Sequence, residues 1–118
     1  MKYLVLLIGD GDVPDCPGLS TYERLAVMKE FEEFDAACAA REGVAILSGE
    51  ALAGPSSATT LRNRGGQLTV TEGPYAEAIE GLGGYYLLEA PDLDTVIELL
   101  AVLPPYDMQV VPTVEPMA

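Results

Sequence analysis

Histidine and tryptophan are absent from this 118-residue chain, and cysteine occurs only as Cys16 and Cys38. With no histidine there is no Ser-His or Cys-His pair to activate a nucleophile. Two distant cysteines without histidine are too few soft ligands for a zinc or iron site. Bases are scarce as well: 6 Lys and Arg stand against 19 Asp and Glu, for a formal net charge of −13. Phosphate backbones and anionic membrane surfaces are bound by basic faces, so neither nucleic acid nor membrane is an expected partner. The acidity serves solubility and self-repulsion. So few cysteines fit a reduced, cytoplasmic protein better than a disulfide scaffold. No apolar run is long enough to cross a bilayer.

The opening Met1-Lys2-Tyr3-Leu4-Val5-Leu6-Leu7-Ile8 is too short for a signal peptide and meets Gly9-Asp10-Gly11-Asp12 without a small-residue cleavage site. It reads as a strand apolar on both faces, hence interior to a sheet. The Gly-Asp-Gly-Asp stretch lacks the third glycine of a dinucleotide loop. It also carries Pro14 where a calcium loop needs a ligand. No cofactor is expected.

Apolar residues make up 49% of the chain, enough for one packed domain over residues 1–118. Ser20-Thr21-Tyr22-Glu23 has capping-box spacing, and Leu25, Met28, Phe31, Phe34 and Cys38 follow at helical spacing up to Gly43. Val44 to Leu52 reads as a strand. Residues 58–62 and 67–71 form a hairpin around Gly65-Gly66. Gly84 to Ala90 is the next strand. Pro91-Asp92 opens a second helix with Leu93, Val96, Ile97, Leu100 and Leu103 on one face, stopped by Pro104-Pro105. Residues 109–114 close the chain as a strand that Pro112 confines to an edge or a bulge. The expected fold is α+β and ferredoxin-like: a mostly antiparallel sheet with two helices on one face. Two helices leave the other apolar face uncovered, which predicts a homodimer of the α+β barrel type enclosing a cavity for a small-molecule ligand.

The segment from Leu68 to Leu88 holds most of the candidate chemistry. Glu72 ends a strand at a turn stiffened by Gly73-Pro74, and Glu77 and Glu80 follow Tyr75. Crowded carboxylates hold protons more tightly, and one so perturbed serves as an acid or base near neutral pH. Capping and solvating the turn is the alternative role. Glu50 is an acid on an apolar strand, and Arg62 on the hairpin is its expected partner, as an ion pair or as a clamp for an anionic substrate. Glu72 and Glu50 are the candidate catalytic residues; Arg62, Tyr75, Glu77, Glu80 and Tyr85 are the candidate binding residues. Tyr85 and Tyr86 alternate along a strand, so at most one faces the pocket.

Five segments carry a resemblance: Ser48-Gly49-Glu50, Thr59-Thr60-Leu61-Arg62, Glu72-Gly73-Pro74-Tyr75-Ala76-Glu77, Leu82-Gly83-Gly84-Tyr85-Tyr86 and Asp92-Leu93-Asp94. In this order they resemble the YCII-related proteins, in the branch marked by an Asp-Gly-Pro-Phe motif. The resemblance implies a ferredoxin-like homodimer with a small-molecule pocket. Glu72 replaces the motif aspartate, Tyr75 the phenylalanine, and Ala78-Ile79 a Thr-Lys pair; Glu115 stands where a base is often found. The His-Asp pair of the wider superfamily has no counterpart here. Two functions follow: a dimeric binding or accessory protein, or a cofactor-free lyase, isomerase or cyclase using carboxylate acid-base chemistry.

Overall fold

The computed structural model describes residues 1–8, 21–53, 57–73, 81–104 and 106–115. The expected capping residue Ser20, the loop from Asp10 to Gly18, and the candidates Tyr75, Glu77 and Glu80 lie outside the described residues. The elements run β1 (Lys2–Ile8), α1 (Thr21–Ala40), β2 (Ala45–Ala51), β3 (Thr59–Arg64), β4 (Gln67–Glu72), β5 (Leu82–Glu89), α2 (Leu93–Leu100) and β6 (Asp107–Pro112). This is the α+β order read from the sequence, and the fold is ferredoxin-like.

Four strands form one sheet in the order β2-β5-β1-β6, and every pairing is antiparallel. The apolar β1 sits inside the sheet, as its two-sided hydrophobicity requires. Pro112, which has no N–H to give a neighbour, ends the outermost strand β6 opposite Tyr3.

Residues directly opposite one another share a sheet face. Tyr3, Val5 and Leu7 therefore share one face with Leu88, Tyr86 and Gly84 of β5 and with Pro112, Val110 and Met108 of β6. Both helices pack here: Phe34 and Cys38 of α1 and Val96, Leu99 and Leu100 of α2 join Val5 and Leu88 in one buried cluster. The Phe34 and Tyr86 rings lie 5.0 Å apart, tilted by 49°. The second face carries Leu4, Leu6 and Ile8 with Tyr85 and Leu87, and neither helix covers it.

Asp92 caps α2, its Oδ1 accepting from the Thr95 N–H at 2.8 Å and from the Thr95 hydroxyl at 2.7 Å. The buried face of α2 is Thr95, Val96, Leu99 and Leu100, whereas Leu93 and Ile97, expected in the core, remain exposed. The helix is rotated so that its stripe meets the sheet through the i, i+3, i+4 set starting at Val96. In α1 the expected stripe is buried only from its middle onward, and Leu25 and Met28 are exposed. A helix of 20 residues is about 30 Å long, and a seven-residue strand spans only about 23 Å, so the sheet underlies part of α1.

Strands β3 and β4 form a separate two-stranded sheet. Gly65 and Gly66 adopt φ of +58° and +82° between the closing pair Arg64 and Gln67. Two successive positive φ values are what a two-residue primed turn demands, and glycine supplies them without strain.

Candidate functional site

Strand β2 brings the candidate site together. Glu50 is the register partner of Tyr85, and Ser48 that of Leu87, so both side chains fall on the face that the helices leave open. Across β5, Tyr85 is opposite Leu6 and Leu87 opposite Leu4. The Ser48 hydroxyl and the Tyr85 phenol are 2.9 Å apart, within hydrogen-bond distance, and either can donate. Whichever donates, the other O–H remains to be given to a third group. The result is a polar corner of two hydroxyls and a carboxylate beside the apolar patch of Leu4, Leu6 and Leu87.

Glycines shape this corner. A β-carbon on Gly84 would lie 3.1 Å from the main-chain oxygen of Glu50, so the absence of a side chain there lets β5 and β2 run close. Gly49 has Tyr86 as its register partner on the helix face. Burial, with a smaller contribution from the Asp35 carboxylate, pushes the Tyr86 phenol up to about 12. Tyr86 therefore stays neutral and serves the core, while Tyr85 faces the site: strand alternation separates the two as expected.

Glu50 corrects one sequence expectation. It is exposed, because β2 is an edge strand, and a carboxylate at a sheet edge keeps its water and does not require a buried partner. Arg62 and Glu72 belong to the other sheet, with Arg62 opposite Thr69 and Glu72 opposite Thr59. One Arg62 nitrogen donates to the Thr71 hydroxyl at 3.5 Å. Glu72 does end its strand at a stiff turn: Gly73 has φ of +100°, its N–H donates to the Ala58 carbonyl at 2.8 Å, and its carbonyl accepts from Thr60 Oγ1 at 2.6 Å. The structure thus makes Glu50 and Tyr85 neighbours on one sheet face, and it carries Arg62 and Glu72 on opposite faces of the hairpin.

Ser48 is the residue that sequence reasoning missed as a site member. The signal was present, since a period of two puts Ser48 and Glu50 on the same face of a strand. At the far end of that face, Lys2 pairs in register with Glu89, and both line a shallow depression with Met1, Thr113 and Glu115. Among the described residues no three His, Cys, Asp or Glu side chains converge as metal ligands.

No curated protein matches the chain. The YCII-related domain model matches residues 1–116, which spans every strand and both helices of the fold described above. The chain belongs to the YCII-related domain family.

Proposed function

We propose that this chain is a homodimeric small-molecule-binding protein with an accessory role in the cytoplasm, in the family branch marked by the Asp-Gly-Pro-Phe turn. The observation that carries the reading is the Ser48–Tyr85 hydroxyl pair at 2.9 Å beside Glu50, on the sheet face opposite α1 and α2. Two such faces brought together bury Leu4, Leu6 and Leu87 and enclose the polar corner. The ligand that suits it is a small organic molecule with an apolar body. It gives a hydrogen bond to Glu50 and accepts one from the spare hydroxyl of the Ser48–Tyr85 pair. The branch assignment rests on Glu72-Gly73-Pro74-Tyr75, and the cytoplasmic setting on the sparse cysteines; among the described residues no helix is long and apolar enough to cross a membrane.

The test is a thermal-shift screen of small organic molecules against the wild type, Tyr85→Phe and Glu50→Gln. Ligands that stabilise the wild type should lose that effect in both variants and be recovered chemically unchanged after incubation. Stabilisation retained by both variants would overturn the site. Conversion of the ligand would move the protein to the acid-base reading, with Glu50 as the group that carries the proton.

A further inference from the structure

We infer that the ligand of the Ser48–Tyr85 site is a small organic cation, a protonated amine on an apolar body, an inference resting on the small-molecule-site reading. Strand register lays out the charges on the sheet face opposite α1 and α2. Glu50, Tyr85, Leu6 and Gln109 form one row across β2, β5, β1 and β6. Ser48, Leu87, Leu4 and Val111 form the row on one side of it, and on the other side Asp107 stands opposite Ile8. The hydroxyl pair, 2.9 Å apart, therefore has an acid beside it and uncharged side chains across the rest of both rows.

The bases are placed elsewhere. Of the 6 in the chain, Arg24 and Lys29 belong to α1 on the opposite side of the sheet, Arg41 pairs with Glu98, and Arg62 and Arg64 belong to the separate β3–β4 sheet. Lys2 is the base that this face's own strands carry, and its register partner is Glu89. It stands four residues from Leu6 along β1, about 13 Å, which exceeds the Debye length of about 8 Å at physiological salt. Among the described residues Glu50 has no ion-pair partner. An anionic ligand would meet the Glu50 carboxylate directly, with Lys2 too far away to offset it. A neutral ligand would leave the charge unused, whereas an ammonium gives Glu50 charge-assisted N–H bonds. The Tyr85 ring, directly across from Glu50, attracts a cation to its face. The net charge of −13 draws cations towards the whole surface. An inorganic cation would leave Leu4, Leu6 and Leu87 bare; an amine on an apolar body covers them.

Calorimetric titration of the full chain with 2-phenylethylamine, 2-phenylethanol and 3-phenylpropionate tests the assignment, because the three share one apolar body and differ in charge. The wild type should bind the amine about tenfold or more tighter than the alcohol, and the carboxylate more weakly than either. Glu50→Gln, at an exposed position, should abolish that preference and leave the alcohol within about twofold. Glu33→Gln, an equal charge change at an exposed position of α1, should change neither. Raising salt from about 50 to about 500 mM should weaken the amine and spare the alcohol. An amine preference that survives in Glu50→Gln, or no amine binding up to about 10 mM, would overturn the cation assignment. Alcohol or carboxylate bound as tightly as the amine, and weakened by Tyr85→Phe, would overturn the cation and keep the site. Binding of all three that neither Glu50→Gln nor Tyr85→Phe alters would overturn the site and the cation with it.

Discussion

Tyr86 lies across Gly49: a β-carbon at Gly49 would come within 2.6 Å of Tyr86 Cδ1 and 2.9 Å of Cε1. An aromatic ring laid over a glycine on an edge strand supplies the packing that the glycine lacks. Here it also fixes which face Ser48 and Glu50 occupy, because any side chain at position 49 must displace the ring. Behind the ring stands Phe34 at 5.0 Å, so the ring has little room to retreat.

Gly49→Ala should therefore destabilise the protein by about 1–3 kcal/mol, the usual cost of overpacking, although alanine is the better residue for an ordinary strand. Denaturant unfolding of Gly49→Ala, Tyr86→Leu and the double variant measures the coupling. The expected result is that the alanine costs much less once the ring is gone. Equal cost in both backgrounds would remove Tyr86 from the explanation.

How much of this was legible beforehand depends on whether the deciding force is local. The Gly65-Gly66 turn, the Asp92 cap and the edge position of Pro112 follow from backbone chemistry within a few residues, and each was readable. The opposite facing of Tyr85 and Tyr86 follows from the strand period alone. Glu50 was given Arg62 as a partner it does not require, because its exposure depends on β2 being an edge strand, a fact of sheet order that its own sequence does not carry. The same limit hid the separation of Arg62 from the main sheet: β3 and β4 look like ordinary strands until it is seen that, among the described residues, each pairs only with the other. Leu25 and Met28 continue a helical stripe perfectly well, but the sheet beneath them ends too soon.

Alkaline pH should weaken the fold through Tyr86. Its phenol ionises at about 12 in the folded chain, against 10.0 for an unperturbed tyrosine. Above pH 10 the unfolded state gives up this proton and the folded state keeps it, so stability present below pH 10 is lost as pH rises towards 12. Burial of Cys38, aided by the nearby Asp35 carboxylate, raises the thiol in the same sense. Thermal midpoints measured from pH 8 to 12 should fall less steeply for Tyr86→Phe than for the wild type. Parallel curves would show that this phenol does not carry the effect.

At the acid end the informative residue is Asp92. Its carboxylate is held below the usual 3.8, chiefly by the Thr95 hydroxyl, then by the Thr95 backbone N–H, with a small contribution from Arg41. A depressed carboxyl contributes stability that is fully present above its unfolded value and disappears as pH falls through the folded one. The contribution matters because α2 delivers Val96, Leu99 and Leu100 to the core, and an uncapped first turn leaves amide donors unsatisfied. Asp92→Ala should lower the thermal midpoint at pH 7 and flatten its decline below pH 4. Asp92→Asn, which still accepts from the Thr95 N–H but cannot ionise, should recover most of the midpoint at pH 7 and share the flattened acid profile. If alanine and asparagine behave alike at pH 7, the cap is not what holds the start of α2. If asparagine keeps the wild-type acid slope, the titrating group lies elsewhere.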